Sequence, residues 1–158
     1  MTEEITDEKV RAALRCAARS LARTEQCRAS LERKLLQKEF ERPVIARALD
    51  FLEERHYLDD ARYASSWVRC HCSFRPQGRI RLMRELCVRG VSKEVAGSAV
   101  DAYFETVDEA ELCRLAYERL SSKQKNERKI MKSLADSGFS YKIIQRVLRE
   151  KKVSGYAS

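Results

Sequence analysis

The sequence has few of the residues that punctuate or break regular structure. Its 158 residues include 5 Gly and 2 Pro. That is too few turn residues for an all-β sandwich, and the composition fits no collagen-like, mucin-like or low-complexity class. No run of 18 apolar residues occurs, so no transmembrane helix is expected. The first ten residues carry Glu3, Glu4, Asp7 and Glu8 and no apolar stretch. A secretory signal is basic and then apolar, so a cytoplasmic protein is expected. Histidine occurs only at His56 and His71. There is no Gly-rich phosphate loop, no His-Glu-x-x-His and no nucleophile elbow. The sequence therefore offers no catalytic residues, and a binding or regulatory protein is expected instead of an enzyme.

Cysteine is not scarce, but its spacing is uninformative. Six cysteines stand at 16, 27, 70, 72, 87 and 113, with no Cys-x-x-Cys pair. In a reducing compartment they read as free thiols, mostly packed as small apolar side chains. Cys70-His71-Cys72 is the one tight cluster. No second pair completes four ligands, and neighbouring helical residues point about 100° apart. No metal site and no cofactor is expected there.

What the sequence does have is helical periodicity. Val10, Ala13, Leu14, Ala17 and Leu21 recur at intervals of three and four, as do the apolar residues of nearly every later stretch. The pattern also repeats over a longer range. Leu31, Leu35, Phe40, Val44 and Leu49 map, 51 residues on, to Leu82, Leu86, Val91, Val95 and Val100. A further 48 residues give Ile130, Leu134, Phe139, Ile143 and Leu148. Polar positions keep the register: Arg33, Arg84 and Lys132; Asp50 and Asp101; Gly90 and Gly138; Ser92 and Ser140. Each unit reads as helix, turn, helix, with a leading helix at about 7–23, 59–72 and 108–121. Gly90 and Gly138 suit the left-handed position that ends a helix. Ser92 and Ser140 suit N-caps, and Asp59 and Asp60 the start of their helix. Glu39, in the corresponding place of the first unit, predicts a more strained or differently closed turn.

The predicted fold is all-α: three tandem three-helix repeats at 1–55, 56–106 and 107–153, with a frayed tail at 154–158. A unit of about 50 residues buries too little surface to be robust alone, so the units should stack, as solenoids do. The expected shape is an elongated, curved stack that suits a filament or groove better than a small molecule.

The formal net charge is +8. Residues 1–55 contribute +1, 56–105 contribute +2 and 106–158 contribute +5. Between Asp60 and Glu85 no acidic residue occurs, while Arg62, Arg69, Arg75, Arg79, Arg81 and Arg84 all fall there. Arg75, Arg79 and Arg81 flank Gly78, where Pro76 and Gly78 permit a close approach and helix N–H groups attract anions. Arginine fits bidentate contact with phosphate or carboxylate. A second basic zone holds Lys123, Lys125, Arg128, Lys129 and Lys132, which reads more readily as an exposed turn and helix face. Trp67, at helical spacing from Tyr63 and Ala64, is expected in the core. His56 is expected at a solvated helix end.

Certain residues resemble a known family. The run Leu58-Asp59-Asp60-Ala61-Arg62-Tyr63-Ala64, then Gly78-Arg79-Ile80, Arg84-Glu85-Leu86 and Arg89-Gly90-Val91, is similar to the core signature of the RecX regulatory proteins. Leu31 to Lys38 resembles the family's first helix-turn segment, and the likeness spans about residues 10–150. The resemblance implies a cofactor-free modulator of RecA. Such a protein binds the RecA filament on single-stranded DNA, lies in its groove, and inhibits strand exchange and ATP hydrolysis. A monomer with weak direct DNA binding and no membrane association is expected. The arginines from Arg62 to Arg84, with Lys123, Lys125, Arg128 and Lys129, are the expected contacts. A direct helix-turn-helix DNA-binding protein is the alternative. A thiol or metal sensor at Cys70, His71 and Cys72 is a more distant third.

Overall fold

The structure is a computed structural model and describes residues 7–155. Among the described residues there are nine α-helices and no strand. They are α1 (Asp7–Arg23), α2 (Arg28–Gln37), α3 (Arg42–Glu54), α4 (Asp60–Phe74), α5 (Arg79–Arg89), α6 (Lys93–Thr106), α7 (Glu109–Ser121), α8 (Glu127–Asp136) and α9 (Tyr141–Gly155).

Extensive helix–helix packing stays within the trios α1–α3, α4–α6 and α7–α9. Each trio encloses a core, and the cores share a few residues: Cys27 of the first trio is buried in the second core, and Tyr103 and Phe104 of α6 pack against both the second and the third. All fifteen apolar positions of the repeat face inward: twelve are buried, and Phe40, Val95 and Ile143 pack half-buried against their cores. Trp67 is buried in the second core. Its ring stacks on His71 at 3.8 Å, and the Arg89 guanidinium lies over it at 5.1 Å.

Local chemistry explains the helix ends. Asp59, Ser92, Asp108 and Asn126 are N-caps, each accepting a backbone N–H of its own first turn. Ser140 does the same for Ile143 N–H at 3.4 Å. Pro43 sits in the first turn of α3, where a missing N–H costs little. Gly90 (φ 97°) and Gly138 (φ 90°) are left-handed as expected, and Glu39 adopts the same conformation (φ 62°) without glycine's freedom. His56 is also left-handed and exposed.

The tail expected at 154–158 begins within the last turn of α9. Helix α9 continues to Gly155. Lys151 Nζ holds Glu118 of α7 at 2.7 Å, and Lys152 Nζ reaches Glu127 of α8 at 3.1 Å. These bridges tie the last turns to the trio. Residues 156–158 lie outside the described residues.

The trios meet end to end through two junctions of one design. At each, the turn between the second and third helices of one trio abuts the start of the second helix of the trio before it. A carboxylate at the head of the following trio caps that same helix start. In the first junction, Arg28 N–H donates to Asp60 (2.8 Å), while Arg33 and the Cys27 thiol both donate to the Arg89 carbonyl (3.1 and 3.4 Å). In the second, Arg79 N–H donates to Glu109 (2.9 Å). Gly78 and Ile80 N–H donate to the Ser137 and Gly138 carbonyls (2.9 and 3.2 Å). Joined only at their ends, the trios form an elongated molecule. Its accessible surface is 10703 Å², against roughly 8100 Å² for a compact monomer of this mass.

Candidate filament-contact surface

The six arginines between Asp60 and Glu85 do not form one patch. Three are spent within the chain. Arg62 bonds Glu25 at 2.8 Å and the His56 and Tyr57 carbonyls, pinning α4 to the end of α1. Arg79 is bound by Asp101 and by Glu109 (3.3 Å), and its guanidinium covers the Phe104 ring at 4.7 Å. Arg81 bonds Glu85 at 2.7 Å and the Asp136 carbonyl at 3.3 Å.

The anion-attracting start of α5 is likewise occupied. Its Arg79 N–H is capped by Glu109, and the close approach that Gly78 permits is made by the chain's own Gly138 turn. A Cβ at Gly78 would overlap the Gly138 carbonyl group.

The other three arginines point outward. Arg84 and Arg75 are exposed and have no side-chain partner among the described residues; Arg69 reaches only Ser66 at 3.4 Å. Arg84 lines a groove of about 390 Å³ with Arg33, Glu85, Val88 and Arg89. Arg69 and Arg75, on α4 and at its end, lie outside that groove. Arg33 and Arg89 were not singled out from the sequence, although the repeat places Arg33 in register with Arg84. A one-dimensional reading of charge blocks passes over residues 51 apart that stacking brings together. Val88, three-quarters exposed, adds an apolar contact to the groove.

Lys123, Lys125, Arg128 and Lys129 lie together in the third trio, all exposed, in the turn before α8 and its first helical turn. Asn126 caps this helix through Lys129 N–H at 3.2 Å.

Cys70, His71 and Cys72 diverge. Cys70 is exposed, Cys72 is buried, and the His71 ring lies on Trp67. Among the described residues no group of three or more His, Cys, Asp or Glu is placed to hold a metal ion. Burial pushes the Cys72 thiol up. Burial, with the hydrogen bond to Cys72, raises the Tyr103 hydroxyl to about 12. Burial also takes the Cys113 thiol to about 11. These thiols are protonated near neutral pH and pack as apolar groups. Among the described residues no helix is long and apolar enough to cross a membrane.

Three-helix units stacked through matching end junctions define a tandem helical-repeat protein with an extended, partly basic surface. Family models for the first and second three-helix domains of RecX match residues 13–52 and 59–100. Regulatory protein RecX of Treponema pallidum (strain Nichols) is 35% identical over 132 residues, covering 84% of this chain and 80% of that protein. The protein of the same name from Chlorobaculum tepidum is 30% identical over 146 residues, covering 89% of each. The chain belongs to the RecX family of regulatory proteins. Its fold matches the crystal structure of RecX from Lactobacillus salivarius with a TM-score of 0.83 at 23% identity, over 94% of this chain and 99% of that one. A second RecX crystal structure matches with a TM-score of 0.77 at 20% identity, over 89% of this chain and 72% of that one.

Proposed function

We propose that this protein regulates the recombinase RecA by lying along the groove of the RecA filament on single-stranded DNA. There it inhibits strand exchange and the coupled ATP hydrolysis, acting as a cytoplasmic monomer. It performs no chemistry of its own and uses no cofactor. Beyond family membership, one observation carries this reading. The end-to-end stack is elongated and keeps Arg69, Arg75 and Arg84 outward, while Arg62, Arg79 and Arg81 are consumed in contacts to the neighbouring trios. Cations left unpaired on an elongated frame suit a long polyanionic or acidic partner.

A titration of RecA-dependent ATP hydrolysis on single-stranded DNA tests the proposal. The protein should slow hydrolysis at or below one molecule per RecA. The triple variant Arg69→Ala, Arg75→Ala, Arg84→Ala should need several-fold more protein for the same effect while keeping its helical circular dichroism. An unchanged ATPase rate across the range would sink the reading.

Direct helix-turn-helix DNA binding as the main activity is disfavoured in the first two trios. Their third helices expose Asp50 and Glu54, and Glu94, Asp101 and Glu105, which repel a phosphate backbone.

A further inference from the structure

The third trio keeps the geometry of the other two but changes their chemistry. Positions 28, 79 and 127 correspond and hold Arg, Arg and Glu; positions 50, 101 and 149 hold Asp, Asp and Arg. Positions 53, 104 and 152 hold Glu, Phe and Lys, and Glu94 of α6 becomes Lys142 of α9. In the first two trios the arginine ties the second helix to the third. Arg28 binds Asp50 at 2.8 Å and Glu53 at 2.6 Å, and Arg79 binds Asp101 and covers Phe104. The start of each second helix is then capped by the next trio. In the third trio the first turn of α8 is exposed and capped by its own Asn126.

The outward face of α9 is basic. Lys142, Arg146 and Arg149 follow one another at intervals of four and three, which places them on one helix face over roughly 10 Å. Lys142 and Arg149 are exposed with no side-chain partner among the described residues. The single acid of α9, Glu150, is neutralised by Arg114 at 2.6 Å and Arg146 at 3.1 Å. Lys152 reaches Glu127 and so brings the first turn of α8, with Arg128, alongside α9. Tyr141, 71% exposed at the head of the helix, and Gln145 between the cations add a ring and an amide.

We propose that this face of the third trio is a nucleic-acid contact, with α9 lying along a phosphate backbone. A row of cations spaced by single helical turns matches a linear polyanion. An exposed aromatic beside it offers a stacking surface to a base. In the three-helix homeodomain variant of the helix-turn-helix, the third helix is the one presented to nucleic acid. An acidic protein partner fits less well, because the strip's one large exposed ring, Tyr141, stands at its head and not at a centre around which a protein interface desolvates. The proposal goes beyond RecA regulation and does not rest on it, since it requires binding in the absence of RecA.

Fluorescence anisotropy with a labelled single-stranded oligonucleotide, without RecA and across a salt series, tests it. Wild-type protein should bind at low salt and weaken steeply as salt rises. The double variant Lys142→Gln, Arg149→Gln should lose about tenfold or more in affinity. It should also lose roughly 1.4 from the slope of log K against log salt, at about 0.7 per single-strand phosphate contact. Should the double variant lose helicity, Arg149→Gln alone is measured the same way, with half the loss of slope. Absence of binding at low salt, or variants with unchanged affinity and slope, would overturn the proposal. So would variants that bind the oligonucleotide normally yet fail to act on RecA, which would assign the face to an acidic protein surface.

Discussion

Gly78 shows how much a single residue can be asked to do. Its φ of −86° is ordinary for any residue, and it is the N-cap of α5, where serine is at least as good as glycine. Helix chemistry alone therefore forecasts that Gly78→Ser is harmless or mildly stabilising. The junction forecasts the opposite, because a Cβ there would overlap the carbonyl group of Gly138 and Phe139 N. We expect Gly78→Ser to destabilise the protein by about 1–3 kcal/mol, the usual cost of overpacking, read as a lowered midpoint in urea. A variant as stable as wild type would show that the second junction yields easily. Glu39 is explained from the other side of the same contact. Gly138 is confined by Arg81 and Gly90 by Ala29, whereas Glu39 is exposed, so the first unit carries left-handed strain but no steric demand for glycine. The repeat in the sequence revealed which turns needed positive φ. It could not reveal that the space beside Gly78 belongs to the chain's own Gly138 turn, since that depends on how the units stack.

The elements were legible because their signals are local. Asp7–Arg23 is the helix that the apolar spacing predicts, and the caps at Ser92 and Ser140 sit where the sequence places them. The fate of charged residues was not legible in the same way. Arg62, Arg79 and Arg81 look as available as Arg84 in one dimension, and only the junctions separate them. Asp60 looks like a first-turn acid of α4, yet its carboxylate caps α2 of the preceding trio. Ion pairs between elements also set a pH response. Hydrogen bonds from Arg114 and Arg146 hold the Glu150 carboxyl below its ordinary value, and Lys151 does the same for Glu118. Groups whose native carboxyls release protons more readily than unfolded ones take up protons on unfolding. Their stabilisation is therefore complete above the ordinary glutamate value of about 4.5 and is lost as pH falls through that value and below. The melting temperature should fall over this window, and Glu150→Gln should flatten the fall. An acid limb of equal steepness in the variant would show that the α7–α9 bridges are too well solvated to matter.

At the scale of the molecule, three small cores in series raise the question of what makes them one cooperative unit. Neighbouring trios touch through turns and helix starts, so coupling rests on a few capping bonds, close backbone contacts and a few shared apolar residues, Cys27 and Ala29 at the first junction and Tyr103 and Phe104 at the second, as in nearest-neighbour repeat systems. Glu109 is the central residue of the second junction. It stands at the head of α7, its side chain is only 12% exposed, and it both caps α5 through Arg79 N–H and pairs with the Arg79 guanidinium. Glu109→Ala removes both links, at a cost of about 1–2 kcal/mol for a lost cap and its pair. Among the described residues the first and third trios have one junction each and the second has two, and Glu109→Ala weakens the junction of the third, which should then be the first to detach. Trp67, the one tryptophan of the chain, lies in the second core and reports that trio alone, whereas far-ultraviolet circular dichroism reports the helices of every trio. In wild-type protein the two signals should follow one unfolding curve in urea. In Glu109→Ala the circular dichroism should begin to fall at lower urea than the Trp67 fluorescence, with an amplitude matching the loss of α7–α9. Curves that stay superimposed in the variant would mean that the cores are coupled through the packing of Tyr103 and Phe104, which touch both the second and third cores, and not through the carboxylate cap.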